Sequence, residues 1–162
     1  MRSENSMLRL AVYGLGVAGL GLSASPLFHM ANMIDPSILP TAIALTCGIF
    51  GGASLAAFSM PKDKMIGYGR VLFGSLLGLI GMQLIGLGSL YFVGPNALAS
   101  LFFSVHNYLG IALFTAFTAY DTHLAIKMYE TGNPDHIGVS IQFLLDFWNL
   151  LVNIISLMSR RD

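Results

Sequence analysis

Ile141-Gln142-Phe143-Leu144-Leu145-Asp146-Phe147-Trp148-Asn149-Leu150-Leu151-Val152-Asn153-Ile154-Ile155-Ser156-Leu157-Met158 decides how this chain folds. Its polar residues are Gln142, Asp146, Asn149, Asn153 and Ser156, separated by steps of 4, 3, 4 and 3. That alternation follows the 3.6-residue helical turn and lays them in one narrow stripe, with Phe, Leu, Ile, Val and Trp around the remainder. In water such a stripe would be a solvated face. The rest of the chain argues against water, so the stripe is expected to face protein or a water-filled path, because lipid satisfies no amide.

The chain has 162 residues, of which 55% are hydrophobic and only 10% charged, with a formal net charge of zero. A soluble domain carries about 25% charged residues. From Leu10 to Pro61 the only formal charge is Asp35, and from Val71 to Ile126 it is Asp121. Apolar runs of about 20 residues match the thickness of a bilayer core. The expected fold is all-α: a polytopic membrane helix bundle of about five transmembrane helices in a single domain, residues 1–162. The segments are read at about 8–30, 39–60, 68–90, 99–129 and 137–158, the first broken near its end by Pro26. Short connections separate them, each with a proline, which ends or starts helices.

Eight glycines, Gly14, Gly16, Gly19, Gly21, Gly48, Gly52, Gly74 and Gly78, recur at spacings expected to let helix backbones approach one another in lipid. Basic residues sort by side. Arg2, Arg9, Lys62, Lys64, Arg70 and Lys127 share one face if the segments alternate, and Arg160 and Arg161 take the other; the first face is then expected to be cytoplasmic. A re-entrant last segment would place all eight together. Neutral net charge removes the case for nucleic-acid binding. The lone Cys47 can form no internal disulfide and is silent on redox compartment.

Two motifs compete with this reading and lose. Gly14-Leu15-Gly16-Val17-Ala18-Gly19 has dinucleotide-loop spacing, with Asp35 downstream, but needs a strand–helix–strand unit that nothing supplies. The first 25 residues resemble a signal peptide with Ser23-Ala24-Ser25 as its cleavage site, yet the apolar run continues past Ser25. His29, His106, His123 and His136 share no metal-ligand spacing and are expected to make interfacial or inter-helix hydrogen bonds.

The chemistry is expected at two acids. Six of the eight carboxylates lie at ends or in polar breaks, whereas Asp121 and Asp146 are embedded in apolar runs. A carboxylate there is costly and marks a functional site by default. Asp121 lies six residues before Lys127 and Asp146 nine after Ile137, so antiparallel helices place them roughly 9 and 13 Å below the same membrane face. They can therefore meet, holding one proton between them. Deprotonated, they would bind a hard cation such as Ca²⁺, which makes Asp121 and Asp146 the expected metal ligands. Asn107, Thr115, Thr118 and Thr122 accompany Asp121 on its helix; Gln142, Asn149 and Asn153 accompany Asp146. The pH-sensing or ion-path set is thus Asp121, Asp146, Gln142, Asn149, Asn153, Thr118 and Thr122. The bland alternative is an uncharged inter-helix hydrogen bond.

Three motifs also carry a resemblance. Asp35-Pro36-Ser37-Ile38-Leu39-Pro40-Thr41-Ala42, Ala119-Tyr120-Asp121-Thr122 and Leu144-Leu145-Asp146-Phe147 resemble the transmembrane Bax-inhibitor-motif family, from the start of its third helix to the end of its seventh. Cys47-Gly48-Ile49-Phe50-Gly51-Gly52 and Met60-Pro61-Lys62-Asp63-Lys64 look most similar to its mitochondrial, growth-hormone-inducible transmembrane branch. Thr118–Thr122 is equally similar to bacterial members. The resemblance implies a seven-helix bundle with the last helix central, of which this chain lacks the first two helices; the second of those carries a basic residue that can engage the aspartate of the Ala-Tyr-Asp-Thr helix.

For function the resemblance implies a pH-sensitive Ca²⁺ leak or cation/proton exchange, with Asp121 and Asp146 as the acid pair. It also implies a link to cell-death control and organelle Ca²⁺ handling. The expected partners are the lipid bilayer, Ca²⁺, protons and other membrane proteins, with no catalysis and no cofactor beyond the transported or bound Ca²⁺. The mitochondrial inner membrane is the favoured location, ahead of the endoplasmic reticulum or a bacterial inner membrane. Two other functions compete. One is a non-conducting membrane scaffold. The other is an intramembrane aspartyl protease, opposed by Phe143-Leu144-Leu145 where such enzymes place Gly-x-Gly and by Pro95-Asn96-Ala97-Leu98, which precedes Asp146 instead of following it.

Overall fold

A computed structural model describes residues 2–61, 66–132 and 135–160. Five long helices carry the chain: α1 (Arg2–Ile34), α2 (Ile38–Ser59), α3 (Gly69–Val93), α4 (Ala97–Glu130) and α5 (His136–Met158). Each is long and apolar enough to cross a membrane, and each span of the sequence reading has its helix. Lys62, Lys64 and Arg161, used in sorting charge by side, fall outside the described residues, as does the side chain of Arg2.

One boundary differs. α1 continues through Pro26 to Ile34 instead of breaking there. Proline removes a single backbone donor, and a transmembrane helix tolerates that loss when neighbouring groups compensate. The Gly14–Gly19 stretch lies inside the same uninterrupted helix, so no strand–turn–helix forms around it.

Polar side chains tie the connections. Between α1 and α2, Ser37 N–H donates to Asp35 Oδ1 at 2.8 Å and Ile38 N–H to the Asp35 carbonyl at 3.0 Å. Between α3 and α4, Gly94 takes φ +80°, a conformation that favours glycine. Asn96 then caps α4, its Oδ1 accepting from Ala99 N–H at 2.8 Å and its Nδ2 donating to the Gly94 carbonyl at 2.7 Å. Asp135 caps α5 by accepting from Gly138 N–H at 3.1 Å.

The helix α5 is central, packing against α4, α2 and α1, while α3 packs on α4 alone among the described residues. One apolar cluster joins Ala31 of α1, Ile38 and Ala42 of α2, and Leu151, Ile154 and Ile155 of α5. A second joins Leu72 and Leu79 of α3 to Leu113 of α4. Aromatic contacts extend the first, with Phe50 edge-on to Phe143 and Phe147 at 5.7 Å and Phe28 tilted against Trp148 at 6.0 Å. Outside, Leu15, Leu22, Leu84, Tyr91 and Phe92 stand largely exposed. In water this surface would aggregate; in a bilayer it is the lipid face. The chain is an integral, multi-pass membrane protein.

Interior hydroxyls are satisfied within their own helices. Thr46, Thr115, Thr118 and Thr122 each donate to the carbonyl four residues back, at 2.6–2.9 Å. Their polarity is thereby compatible with apolar surroundings.

The ends of the bundle fix how α5 runs. At one end the Arg9 guanidinium on α1 meets Asp135 through Nη2, 2.7 and 2.9 Å from its two carboxylate oxygens. At the other, Arg160 donates to the Ser100 carbonyl and Ser104 Oγ near the start of α4, 5.5 Å above the Phe103 ring. Antiparallel to α4, α5 therefore runs from the Arg9 end to the Arg160 end. The alternating arrangement fits this, and a re-entrant α5 does not.

The glycines require a correction. A Cβ added at Gly14, Gly16, Gly19, Gly21, Gly48, Gly52, Gly74 or Gly78 would meet nothing within 4 Å. Close approach occurs elsewhere, at Gly69 against Tyr120, Gly86 against Phe102 and Phe103, and Gly110 against Asn153. Spacing marks a helix face, but only packing decides whether that face has a neighbour.

Candidate functional site

Because α3 and α5 each pack on α4 without meeting, a groove of about 520 Å³ runs between them. Its floor is α4, with Phe114, Phe117, Tyr120 and Asp121. The α5 wall presents Gln142, Leu145, Asp146 and Asn149, the first half of the polar stripe. The α3 wall is apolar: Phe73, Leu76 and Ile80, with Gly69 at its start. Among the described residues, no basic side chain lines the groove.

Asp121 and Asp146 come together here. Both are buried, at 7% and 5% exposure, and their carboxyl groups lie within hydrogen-bonding reach of each other. Two carboxyl groups hydrogen-bond to each other only when a proton lies between them. The Thr118 hydroxyl is also within reach of Asp146, although it donates to the Phe114 carbonyl at 2.9 Å. Asp146 Oδ2 is buried and receives no hydrogen bond among the described residues. A buried acceptor in that state calls for a proton, a cation or an outside donor.

The remaining residues of the expected set divide. Gln142 and Asn149 share the groove with the acids. Asn149 Nδ2 donates to the Leu145 carbonyl at 2.7 Å, leaving its carbonyl oxygen as the group available to a ligand. Thr122 turns toward α2, its hydroxyl 3.4 Å from Ser54 Oγ. Asn153 lies farther along α5, against Gly110, with its Nδ2 donating to the Asn149 carbonyl at 2.7 Å.

Two of the four histidines make the inter-helix hydrogen bonds expected of them. His123 Nδ1 lies 3.1 Å from the Ala119 carbonyl and Nε2 3.4 Å from that of Met60, linking α4 to the end of α2. His106 reaches the Leu79 carbonyl on α3. No group of three or more His, Cys, Asp or Glu that could hold a metal ion occurs among the described residues.

Sequence reasoning missed three elements of this end of the bundle. Tyr120 lies over Gly69, its hydroxyl 2.7 Å from where a Cβ would stand, and so joins α3 to the groove floor. Its place beside Asp121 was the only signal, and an aromatic there is unremarkable by composition. The Arg9–Asp135 pair links residues 126 positions apart, a distance no local pattern spans. Arg9 and the Gly138 N–H hold the Asp135 carboxyl below the usual carboxylate range, the guanidinium contributing most. Finally, the gap between α3 and α5 follows from helix order in space, which periodicity does not encode.

Comparison with known proteins agrees with this architecture. The sequence profile described as Bax1-I, Inhibitor of apoptosis-promoting Bax1, matches residues 1–162. Bax inhibitor 1 of Mus musculus is 33% identical over 148 residues, covering 91% of this chain and 58% of that protein. Probable Bax inhibitor 1 of Paralichthys olivaceus is 29% identical over 163 residues, covering 99% and 64%. The growth hormone-inducible transmembrane protein of Rattus norvegicus is 28% identical over 159 residues, covering 94% and 42%. The chain thus spans less than two thirds of the length of these relatives. No solved structure matches it significantly. With five apolar helices and a profile match along its whole length, the chain belongs to the Bax inhibitor family.

Proposed function

We propose that this protein is a pH-sensitive Ca²⁺ leak or cation/proton exchanger, with the Asp121–Asp146 pair as proton sensor and ion site. The observation that carries the reading is that these two buried acids lie within hydrogen-bonding reach at the floor of a groove. When the shared proton leaves, the pair presents carboxylate oxygens to a hard cation, with the amide oxygens of Gln142 and Asn149 on the same wall. Ca²⁺ takes 6–8 oxygen ligands. Four side chains supply at most six oxygens, and only with both carboxylates bidentate, so an ion there keeps part of its water shell, which suits passage better than storage.

Protons and Ca²⁺ then compete for the same oxygens, and that competition is the coupling an exchanger needs. No substrate bond is broken, so the proposal is transport without catalysis. The profile's description, Inhibitor of apoptosis-promoting Bax1, supports placing the transport in cell-death control. The membrane proposed is the mitochondrial inner membrane, ahead of the endoplasmic reticulum or a bacterial inner membrane. The test is Ca²⁺ flux in proteoliposomes: it should change with pH, and that change should be altered in Asp146→Asn and lost when both aspartates are replaced by asparagine. Folded protein that passes no Ca²⁺ at any pH would end the proposal.

The outward glycines favour a second reading, a non-conducting scaffold for other membrane proteins. Gly14 and Gly21, seven residues apart, share one side of α1, and a side chain added at either would meet open space, so that side offers small residues to another helix. Association that Gly14→Leu abolishes and neutralising both aspartates leaves intact would support it.

A further inference from the structure

The polar stripe of α5 does not end at the acid pair. From Asp146 it continues through Asn149, Asn153 and Ser156 to Arg160, in steps of 3, 4, 3 and 4. Opposite it, past Asp121, α4 places Gly110, Asn107 and Ser104, and Ser104 Oγ accepts from Arg160 at 3.0 Å. A seam of polar side chains thus joins the acids to the far end of the bundle. Asn153 and Asn107 lie inside it, 5% and 7% exposed.

In a membrane, buried amides ordinarily bond from one helix to the next. Asn153 does not. Its Nδ2 donates to the Asn149 carbonyl of its own helix at 2.7 Å, and among the described residues no hydrogen bond crosses from it to α4. Instead the amide rests on Gly110, with Oδ1, Cγ and Nδ2 all 2.7–2.9 Å from where a Cβ would stand. Leu150 and Ile154, both buried, flank it on α5. So placed, the amide fills the seam with an oxygen-bearing side chain without tying the two helices together.

We propose that Asn153 is the selectivity-determining constriction of the ion path, a hard cation leaving the acids along the α4–α5 seam with Asn153 Oδ1 as one of its ligands. This rests on the ion-passage reading and deepens it: the acids admit the ion and the amide chooses it. To pass, the ion moves the amide off Gly110 and exchanges part of its water for an amide oxygen. Ca²⁺ accepts such an exchange because its coordination is flexible, whereas Mg²⁺ keeps an octahedral shell and dehydrates reluctantly. The amide carries no charge. It therefore sorts ions by the cost of shedding water and does not trap them.

The test is flux of Ca²⁺ and of Mg²⁺, measured separately in proteoliposomes holding the full chain. Wild type should pass Ca²⁺ faster than Mg²⁺. Asn153→Ala clears the seam, so both fluxes should rise, Mg²⁺ the more, and the Ca²⁺/Mg²⁺ ratio should fall at least about threefold. Asn153→Leu fills the same space without an oxygen and should cut Ca²⁺ flux about tenfold. A packing defect alone would scale both fluxes by one factor. An unaltered ratio in Asn153→Ala, or wild-type Ca²⁺ flux in Asn153→Leu, would overturn the proposal. Should either variant fail to fold, Asn153→Ser, whose shorter side chain also opens the seam, must lower the ratio or the proposal fails. Wild type that passes neither ion ends the ion-passage reading and this one with it. A pH-dependent Ca²⁺ flux whose ion ratio is indifferent to residue 153 removes only the constriction.

Discussion

The side chain of Asn153 lies directly over Gly110, so close that a Cβ at residue 110 would stand 2.7 Å from Asn153 Oδ1 and 2.9 Å from Nδ2. Here α5 and α4 approach most nearly through a polar group, with the amide held in place by its bond to the Asn149 carbonyl. Leu150, fully buried three residues before, leaves the helix no freedom to back away. Gly110→Ala should therefore destabilise the bundle by about 1–3 kcal/mol, the usual cost of forcing a methyl into a packed contact. Adding Asn153→Ala should recover part of the loss, because it removes the atoms in conflict. Thermal unfolding of the four proteins of this cycle measures the coupling, and additive losses would show that the contact is not the cause.

The acid pair makes a different kind of prediction, about shape instead of size. Two carboxyl groups in contact titrate as one system with two macroscopic steps. If flux follows the pair, wild type should show a pH profile broader than a single ionisation. Asp121→Asn and Asp146→Asn should each narrow it to one step, and the double variant should be flat. The single effects should not add, since either substitution dissolves the pair. Flux measured across a pH series in proteoliposomes reads this directly. A double variant that retains the wild-type profile would place the sensor elsewhere.

A third expectation concerns the membrane-surface end. Because the Asp135 carboxyl is held below its ordinary value of 3.8 by Arg9 and the Gly138 N–H, the linkage sign is fixed. Stability from this group is fully present above the unfolded value and is lost as pH falls through the lowered folded one. The α1–α5 tether should thus be indifferent to pH between about 5 and 8 and loosen only below about 4. Spin labels at Val12 and Ser140 would report it as a distance distribution that broadens in acid. Arg9→Gln should produce the broadening at neutral pH. Loosening already at pH 6 would implicate another group.

Much of this was legible from residue order alone. The spacing of Gln142, Asp146, Asn149 and Asn153 already placed them on one face, and the depth of Asp121 below Lys127 already matched that of Asp146. Both inferences use only helical geometry and chain length, which hold wherever a helix forms. What the order of residues did not contain was which faces meet. Gly74 and Gly78 have the spacing of a packing seam and face open space, whereas Gly110, unremarkable by spacing, lies in close contact with Asn153 of α5. Likewise, nothing local distinguishes Asn153, held against Gly110, from Asn149, which lines the groove. These choices are set by how α2, α3 and α5 divide the circumference of α4, and neighbours far apart in the chain make that division.

The turn between α3 and α4 supplies the last test, because it sets where α4 begins and hence the depth of Asp121. Asn96 works in two directions: Oδ1 accepts from Ala99 N–H, and Nδ2 donates to the Gly94 carbonyl and to Ser89 Oγ at 3.1 Å. Only an amide can do both. Asn96→Ala should cost about 1–2 kcal/mol, as loss of a helix cap ordinarily does. Asn96→Asp keeps the acceptor toward Ala99 but turns the donor into a second acceptor facing a carbonyl, so it should recover little. Asn96→Ser restores the cap alone and should fall between wild type and alanine. Thermal unfolding ranks the three variants. Aspartate matching wild type would mean that the cap alone matters and that the bonds to Gly94 and Ser89 are incidental.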